Sequence, residues 1–406
     1  MKNHVGVFLI AIYILSLSAC KTEEKQNNEF LDASAEQFEE SLIKFGFNQF
    51  IEMSNSEDKN VIISPLSIAT ALYITINGAN NNTLIEMKEV LFLDSIYPSH
   101  NALYREFIDG VLLQSENLQT ESKVFCDPDK LELDNDFIEN CDKYYEAEVQ
   151  HLNFSSQEAL TTINDWVSDV TEERIPEVLE NINSDDVMFL INALYFKGDW
   201  DNGFPVQATE LRDFTLRTDE KIQVNMMSND TEYKFAINDE YCAVEMPFRD
   251  SIFSMTFILP SKEETTKNFI NKFNSDSFLK FYLNLNSEMK NERLLFGLPK
   301  MELKTKYMLK TTLMNLGMND AFKSGNADFS NFGKSSGNLF LTKVLHDVFI
   351  KIDEQGVEGA AATTVGVGVT SIPPTILLNR PFIFILKHID SNVPVFIGEI
   401  SNPLEN

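Results

Sequence analysis

Residues 354–379 read EQGVEGAAATTVGVGVTSIPPTILLN and form the most unusual stretch of the 406-residue chain. Small and β-branched residues dominate it, and Glu358 is the one charged residue between Gly356 and Asn379. Every second residue from Val357 onward is small and mostly apolar, a period-2 pattern that suits a strand lying on a packed core. The glycines and the alanine run give the same stretch a poor strand propensity, which favours an exposed loop. The segment therefore suits two states, loop and strand.

The composition is that of a folded, strongly acidic protein. The chain has 33 Lys+Arg against 62 Asp+Glu, a formal net charge of −29, and 43% hydrophobic residues including 32 Phe. This charge repels a polyphosphate backbone, so nucleic acid is excluded as a partner, and charge steering favours cationic partners. At about 150 residues per domain the length allows two or three domains. The lack of internal repeats and composition shifts favours one.

The first twenty residues have the form of an export signal. Lys2 precedes an apolar run that ends in small residues at Cys20, which is typical of a signal peptide rather than a permanent membrane span. The sequence LSAC at 17–20 looks like a bacterial lipobox, which predicts a signal peptide over 1–19 and acylation of Cys20. Plain secretion and an uncleaved anchor are the alternatives.

A polar tether over 20–34 and a folded domain over 35–406 complete the predicted organisation. We expect an exported bacterial lipoprotein of the cell envelope, at the outer membrane or cell surface, or an extracellular protein. Its membrane contact would be the lipid anchor alone.

Three cysteines, Cys126, Cys141 and Cys242, remain once Cys20 is set aside. An odd number without CxxC spacing indicates neither a disulfide framework nor a thiolate metal site. We expect free thiols, and the alternative is one disulfide pair in an oxidising compartment.

Hydrophobic periodicity predicts a mixed α+β domain. Helices are predicted over 35–53, from Ser64-Pro65 to Asn77-Gly78, over 161–175 and over 307–316. Short apolar or alternating runs predict strands over 187–196, 253–259, 294–298, 349–352 and 382–386.

The sequence contains no recognisable catalytic motif. It has five His but no GxSxG, HExxH or phosphate-binding loop, and no GxGxxG that opens a strand–helix unit. The turn at 366–368, GVG, resembles a dinucleotide site, but Pro373 and Pro374 follow and cannot start the required helix. We therefore expect no enzyme activity, no catalytic residue, no metal and no cofactor.

Motifs along nearly the whole mature chain resemble those of the serpin family. Residues 60–68, NVIISPLSI, look like the family pattern N-x-x-x-S-P-x-S-I, and residues 192–200, NALYFKGDW, are similar to N-A-x-Y-F-K-G-x-W. Further matches are LPK at 298–300, ADFS at 327–330, RPF at 380–382 and FIG at 396–398. The matches are collinear from about Asn60 to Pro403. The resemblance implies a single-domain α+β serpin fold with three β-sheets, about nine helices and an exposed reactive-centre loop over about 354–379.

The resemblance also implies a mechanism. Most serpins are suicide inhibitors, in which a protease cleaves the loop and the loop's first part enters the main sheet while the protease is still an acyl ester. On this pattern the loop's hinge comprises Gly356, Val357, Glu358, Gly359, Ala360, Ala361 and Ala362, and its small residues conform to inhibitory members. Counting from either end of the loop puts the reactive bond at Thr370-Ser371.

Other residues match the positions that control opening of the main sheet in serpins. Ser64, Ser67, Asn192 and His346 match the shutter beneath the middle of the sheet, and Trp200 matches the breach where insertion starts. His346 is implied to control conformation, without a catalytic role.

The expected partner is a target protease, held by a monomeric inhibitor as a covalent acyl-enzyme. Val369-Thr370 favours elastase-like serine proteases over trypsin- and chymotrypsin-like ones, because the pair is small and β-branched. Trapping of papain-like cysteine proteases near 367–369 and a non-inhibitory binding or chaperone-like serpin are the alternatives. Basic patches of the kind that bind heparin are not evident.

Overall fold

The computed structural model describes residues 34–183, 186–335, 337–357 and 373–405. The predicted signal peptide, Cys20, hinge residues 358–362 and the Thr370-Ser371 bond lie outside these ranges.

The described residues form nine α-helices and eighteen strands. The helices are α1 (34–56), α2 (Pro65–Ile76), α3 (Asn81–Val90), α4 (His100–Gln114), α5 (Asn135–Tyr145), α6 (Gln157–Val170), α7 (Thr266–Ile270), α8 (Ser275–Glu288) and α9 (Lys310–Asn315). The strands are β1 (Val61–Ile63), β2 (Leu118–Cys126), β3 (Leu131–Leu133), β4 (Glu148–His151), β5 (Met188–Phe196), β6 (Gly198–Asp199), β7 (Glu210–Thr215), β8 (Lys221–Ile237), β9 (Tyr241–Pro247), β10 (Phe253–Pro260), β11 (Lys290–Pro299), β12 (Met301–Met308), β13 (Gly333–Ser335), β14 (Leu345–Ile352), β15 (Gly356–Val357), β16 (Thr375–Leu377), β17 (Phe382–His388) and β18 (Pro394–Ile400).

The strands form four hydrogen-bonded groups. One has nine strands in the order β1-β18-β17-β10-β9-β8-β11-β16, with β7 paired to β8. A four-stranded group, β12-β14-β15-β6, and a three-stranded group, β4-β2-β5, are separate because no ladder in the described residues joins β5 to β14. A short pair, β13-β3, completes the set. The three- and four-stranded groups together are called the main sheet below, because β5 and β14 line the two sides of one opening between them.

Helix α2 forms as its sequence predicts. The Ser64 hydroxyl caps its N-terminus by accepting from the Ser67 N–H at 3.3 Å, and Pro65 occupies the first turn, where a missing N–H has no cost. Asn77 ends the helix. This placement puts the buried residues of α2 directly beneath the main-sheet strands.

Two predicted helices have different bounds. The segment predicted over 161–175 is α6, which begins at Gln157 and ends at Val170, because Glu172 and Glu173 adopt left-handed backbone angles. The segment predicted over 307–316 begins as a strand. Tyr307 lies in β12 and pairs with His346 of β14, so the helix starts only at Lys310.

The core is one large apolar cluster with a smaller satellite. The large cluster lies between helices α1, α2 and α8 and the nine-stranded sheet, and the satellite packs α6 onto β2 and β5 through Ile163, Val167, Phe125 and Phe189. Cys126, Cys141 and Cys242 are free thiols, as expected. None of the helices in the described ranges is both long and apolar enough to cross a membrane.

Candidate functional site

The first two hinge residues already lie in a sheet. Gly356 and Val357 form β15, which pairs antiparallel with β6 on one side, Val357 opposite Gly198, and with β14 on the other, Val357 opposite Ile352. The Val357 side chain is buried. The chain therefore reverses direction after the C-terminal end of β14 and begins a new strand between β14 and β6.

Gly356 is required by this close approach. A Cβ atom at Gly356 would lie 1.9 Å from the Gly198 carbonyl oxygen and 2.8 Å from the Asp199 Cα, both of them backbone atoms that have no room to move aside. The small residue that the sequence pattern predicted at the hinge thus has a specific steric reason here.

Trp200 holds the turn that precedes β15. Its backbone N–H donates to the Gln355 carbonyl at 2.7 Å, and its indole Nε1 donates to the Asp353 carbonyl at 3.2 Å. The ring is buried and stacks on Phe248 with centroids 4.6 Å apart. The structure places Trp200 beside the start of the loop, where the breach residue is expected.

Glu354 anchors the same turn through its side chain. Its carboxylate accepts from Lys300 Nζ and from Thr209 Oγ1, each at 2.8 Å, and its carbonyl accepts from the Phe204 N–H at 2.7 Å. Desolvation by burial raises the pKa of Glu354, but the Lys300 and Thr209 contacts outweigh it and the net pKa lies below the usual value. The ionised carboxylate therefore pins the turn. The LPK match at 298–300 includes Lys300 but did not predict its contact with Glu354, and no motif included Thr209.

A cavity separates β5 from β14 below β15. Its volume is about 160 Å³, and its walls include Leu190 and Leu194 of β5 and Leu345 of β14. Ser67 and Leu72 of α2 lie on its inner side, and Val167, Ile175 and Leu179 of α6 and the following segment lie on its outer side. Strands β5 and β14 thus face each other across this cavity, and the α6 segment covers it.

Two of the predicted shutter residues meet directly. The Ser64 N–H donates to His346 Nε2 at 2.9 Å, so β14 is tied to the N-terminus of α2. Desolvation lowers the pKa of His346 to about 3. A neutral imidazole is what this contact needs, because Nε2 acts as the acceptor.

Asn192 does not join that pair through its side chain. Ser67 Oγ donates to the Asn192 carbonyl at 3.2 Å, while Asn192 Nδ2 donates to Thr120 Oγ1 at 2.9 Å and to Ser122 Oγ at 3.0 Å on β2. Its Oδ1 atom is buried without a partner among the described residues. The four residues therefore form one chain of hydrogen bonds, His346–Ser64–Ser67–Asn192, and the Ser67 N–H to Ser64 Oγ contact at the start of α2 joins the two sides of the opening.

Asp347 places an unpaired carboxylate at the same opening. It lines the cavity, and both of its buried oxygens lack a hydrogen-bond partner in the described ranges. Desolvation raises its pKa to about 6, against the opposing effect of Lys306 and Lys304. At neutral pH this charge disfavours the native arrangement.

A buried clamp closes the lower end of the opening. Asp186, just before β5, accepts from Lys343 Nζ at 3.1 Å and from Thr342 Oγ1 at 2.9 Å, both just before β14. The Asp186 side chain is 1% exposed, so this pair is shielded from water. Sequence reasoning missed it, because isolated polar residues some 156 positions apart carry no motif.

The far end of the loop is held in a different sheet. Thr375–Leu377 forms β16, which pairs parallel with Leu295–Gly297 of β11 in the nine-stranded sheet. The Leu295 N–H also donates to the Pro374 carbonyl at 3.0 Å. The segment between β15 and β16 thus connects two sheets, and cutting it frees one end from the other.

Comparison with known proteins agrees with this geometry. A family model described as Serpin (serine protease inhibitor) matches residues 40–403, and the chain therefore belongs to the serpin family. Human Serpin B8 is 32% identical over 356 residues, 85% of this chain and 93% of that protein. The leukocyte elastase inhibitor of Xenopus tropicalis is 31% identical over 371 residues, 88% of this chain and 97% of that protein.

Solved structures confirm the predicted serpin fold. The crystal structure of the thermophilic serpin tengpin in its native state matches with a TM-score of 0.82 and 29% identity, over 90% of this chain and 94% of that one. Tengpin in its latent state matches with a TM-score of 0.77 and 28% identity, over 90% and 97%. The overall arrangement is thus more similar to the native form.

Proposed function

We propose that this serpin is a suicide inhibitor of serine proteases and acts as a trap rather than as an enzyme. The observation that carries the proposal is the placement of the loop's two ends. Val357 has entered the main sheet beside Ile352, while β16 is bound in the nine-stranded sheet. Cleavage between them would let the chain after β15 extend that strand between β14 and β5 while β16 stays paired with β11.

The pairing of β15 sets the register of that insertion. Because β15 runs antiparallel to β14 and to β6, each further residue of the loop would face one residue earlier on each neighbour. From Val357 opposite Ile352 and Gly198, continuing without a bulge brings Thr363 level with His346 and with Asn192. Thr363 also shares the inward parity of Val357. The shutter residues thus lie on the route of the inserting strand.

The energetics favour insertion once the loop is cut. Adding residues 358–370 to the sheet forms ladder hydrogen bonds worth about 0.5–1.5 kcal/mol each, and the total is on the order of 10 kcal/mol before apolar burial is counted. The native state is then kinetically trapped. At about 3.3 Å per residue the new strand spans roughly 46 Å, enough to carry a tethered protease toward the opposite pole of the molecule.

Elastase-like proteases are the target class we favour. The Val369-Thr370 pair suits a small, apolar specificity pocket, and one relative is named leukocyte elastase inhibitor. The net charge of −29 should speed association with cationic proteases, and the rate should fall as salt rises. An association rate that is independent of salt concentration would contradict a role for the net charge in attracting the protease.

We also propose that the protein is a monomer anchored to the cell envelope by lipid on Cys20. The support is the LSAC sequence at 17–20. Metabolic labelling with a palmitate analogue tests it. A Cys20→Ser variant should incorporate no label and should no longer be found in the membrane fraction.

The inhibitory function is tested with a panel of elastase-, trypsin-, subtilisin- and papain-type proteases. An SDS-stable complex with the elastase type, and a released C-terminal peptide that starts at Ser371, are expected. Thr363→Arg should turn the inhibitor into a substrate, because a guanidinium cannot be buried beside His346, and Thr363→Ser is the matched control. A stable complex from the arginine variant would overturn the insertion step.

A further inference from the structure

A second cavity lies outside the loop machinery. Its volume is about 330 Å³, and it opens between the start of α1, the length of α4 and the turn that follows β17. None of its lining residues belongs to β5, β14 or β15. Its size is within the range of sites that bind small organic ligands.

The cavity has an apolar wall. Phe38, Leu103 and Val111 are buried, and the rings of Phe38 and Phe107 pack with centroids 6.1 Å apart. Such a wall suits an alkyl or aromatic group of a ligand, and aromatic faces also attract organic cations.

The charges around the cavity are all of one sign. Glu39, Glu106 and Asp390 line it, and no Lys or Arg is among the lining residues. Glu39 is half-buried, and no hydrogen bond or ion pair to its carboxylate occurs within the described ranges. Desolvation, with help from the neighbouring Glu36 charge, raises the pKa of Glu39 to about 7. A cation that paired with Glu39 would relieve this cost.

His388 adds an independent observation. It lines the cavity and is only 6% exposed, its Nδ1 atom bonds Ser391 Oγ at 2.9 Å, and its buried Nε2 has no partner among the described residues. Buried polar atoms in proteins are almost always paired. The cavity wall therefore holds two unpaired polar groups, one on α1 and one at the end of β17, that a ligand would satisfy.

We propose that this cavity is a binding site for a small organic cation with an apolar body, an alkylamine or aralkylamine, whose ammonium group pairs with Glu39. The body lies against Phe38 and Phe107, and Glu106 and Asp390 attract the cation at the mouth. Binding should weaken as the pH falls below about 7, because the ammonium pairs with the ionised form of Glu39. Glu106 and Asp390 line the same site, Glu36 lies near Glu39, and desolvation lowers the pKa of His388, which favours its uncharged ring.

The test is calorimetric titration of the full mature protein with 2-phenylethylamine and with its uncharged analogue 2-phenylethanol. The amine should bind saturably at pH 8, about tenfold or more tightly than the alcohol, and more weakly at pH 6. Glu39→Gln should remove this preference. Glu40→Gln should not, because Glu40 pairs with Lys44 at 2.7 Å outside the cavity.

A second variant fills the site without disturbing the fold. A Cβ on Gly110 meets nothing within 4 Å, so Gly110→Leu places a side chain at the cavity in a helix that tolerates it. This variant should lose amine binding while its unfolding temperature stays equal or rises. Equal affinity for amine and alcohol, no saturable binding, or undiminished binding by Gly110→Leu would overturn the proposal.

Discussion

Glu354→Ala is expected to lower the free energy of unfolding of the native state by about 2 kcal/mol. The substitution removes the Lys300 and Thr209 contacts, both at 2.8 Å. A hydrogen bond to a buried charge contributes about 1.5–3 kcal/mol. The Lys300 side chain is 42% exposed, so its share is reduced to about 0.5–1 kcal/mol. The Thr209 bond to the nearly buried carboxylate supplies the rest.

Urea unfolding followed by tryptophan fluorescence measures this loss, because Trp200 packs directly on the anchored turn. Glu302→Ala is the matched control, since its 3.6 Å pair with Lys351 is exposed and its removal should change stability by no more than about 0.5 kcal/mol. A double-mutant cycle with Lys300→Met should give a coupling energy of about 0.5–1 kcal/mol. A loss for Glu354→Ala no larger than that of the control would refute the anchoring role.

Three further substitutions probe the opening in the main sheet. Asp347→Asn should stabilise the protein by about 1–2 kcal/mol at pH 8. The pKa of Asp347 is about 6 in the folded protein and 3.8 in the unfolded chain. The wild-type protein therefore has its full stability from this group below pH 3.8 and loses it as the pH rises through 6. The gain should therefore vanish in urea titrations near pH 4, and a gain that is constant with pH would contradict this cause. Gly356→Val should lower the free energy of unfolding by about 2 kcal/mol or more, measured by thermal unfolding, because its Cβ overlaps the Gly198 carbonyl. Gly337→Ala is the control and should be neutral, since a Cβ there meets nothing within 4 Å. Similar unfolding temperatures for the two variants would argue against the pairing of β15 with β6. Asp186→Asn should cost about 2–4 kcal/mol and speed amide exchange at the lower ends of β5 and β14, and wild-type exchange there would show that the clamp does not hold them.

Local signals in the sequence predicted the elements whose ends are set by their own residues. The Ser64-Pro65 pair fixes the start of α2 because both the cap and the missing N–H act within one turn. Strand β14 was predicted only over 349–352, but it begins at Leu345, since its register with β12 runs from Ile352 opposite Met301 to Leu345 opposite Met308. A strand's length depends on its partner, which a single segment does not reveal.

In the candidate site, too, the sequence pointed to individual residues but not to their contacts with distant parts of the chain. Motif resemblance pointed to Trp200 and His346, and the structure sets Trp200 against the turn before β15 and His346 against the N-terminus of α2. It did not predict that Asn192 turns its amide toward Thr120 and Ser122 on β2. It gave Glu354 only as the start of the loop, without the contacts to Lys300 and Thr209, and it gave no signal for Asp186. These contacts join residues that are far apart in sequence, and only the folded chain brings them together.

The most direct test of loop insertion is the unfolding temperature of the native protein against that of the same protein nicked in the reactive loop. A catalytic amount of a protease that cleaves the loop without being trapped produces the nicked form. Calorimetry then compares the unfolding temperatures of the native and nicked forms with no enzyme bound. Insertion of residues 358–370 between β5 and β14 predicts that the nicked form melts at a much higher temperature, because it gains ladder hydrogen bonds along two strands. A nicked form that melts at the native temperature, or below it, would contradict the account.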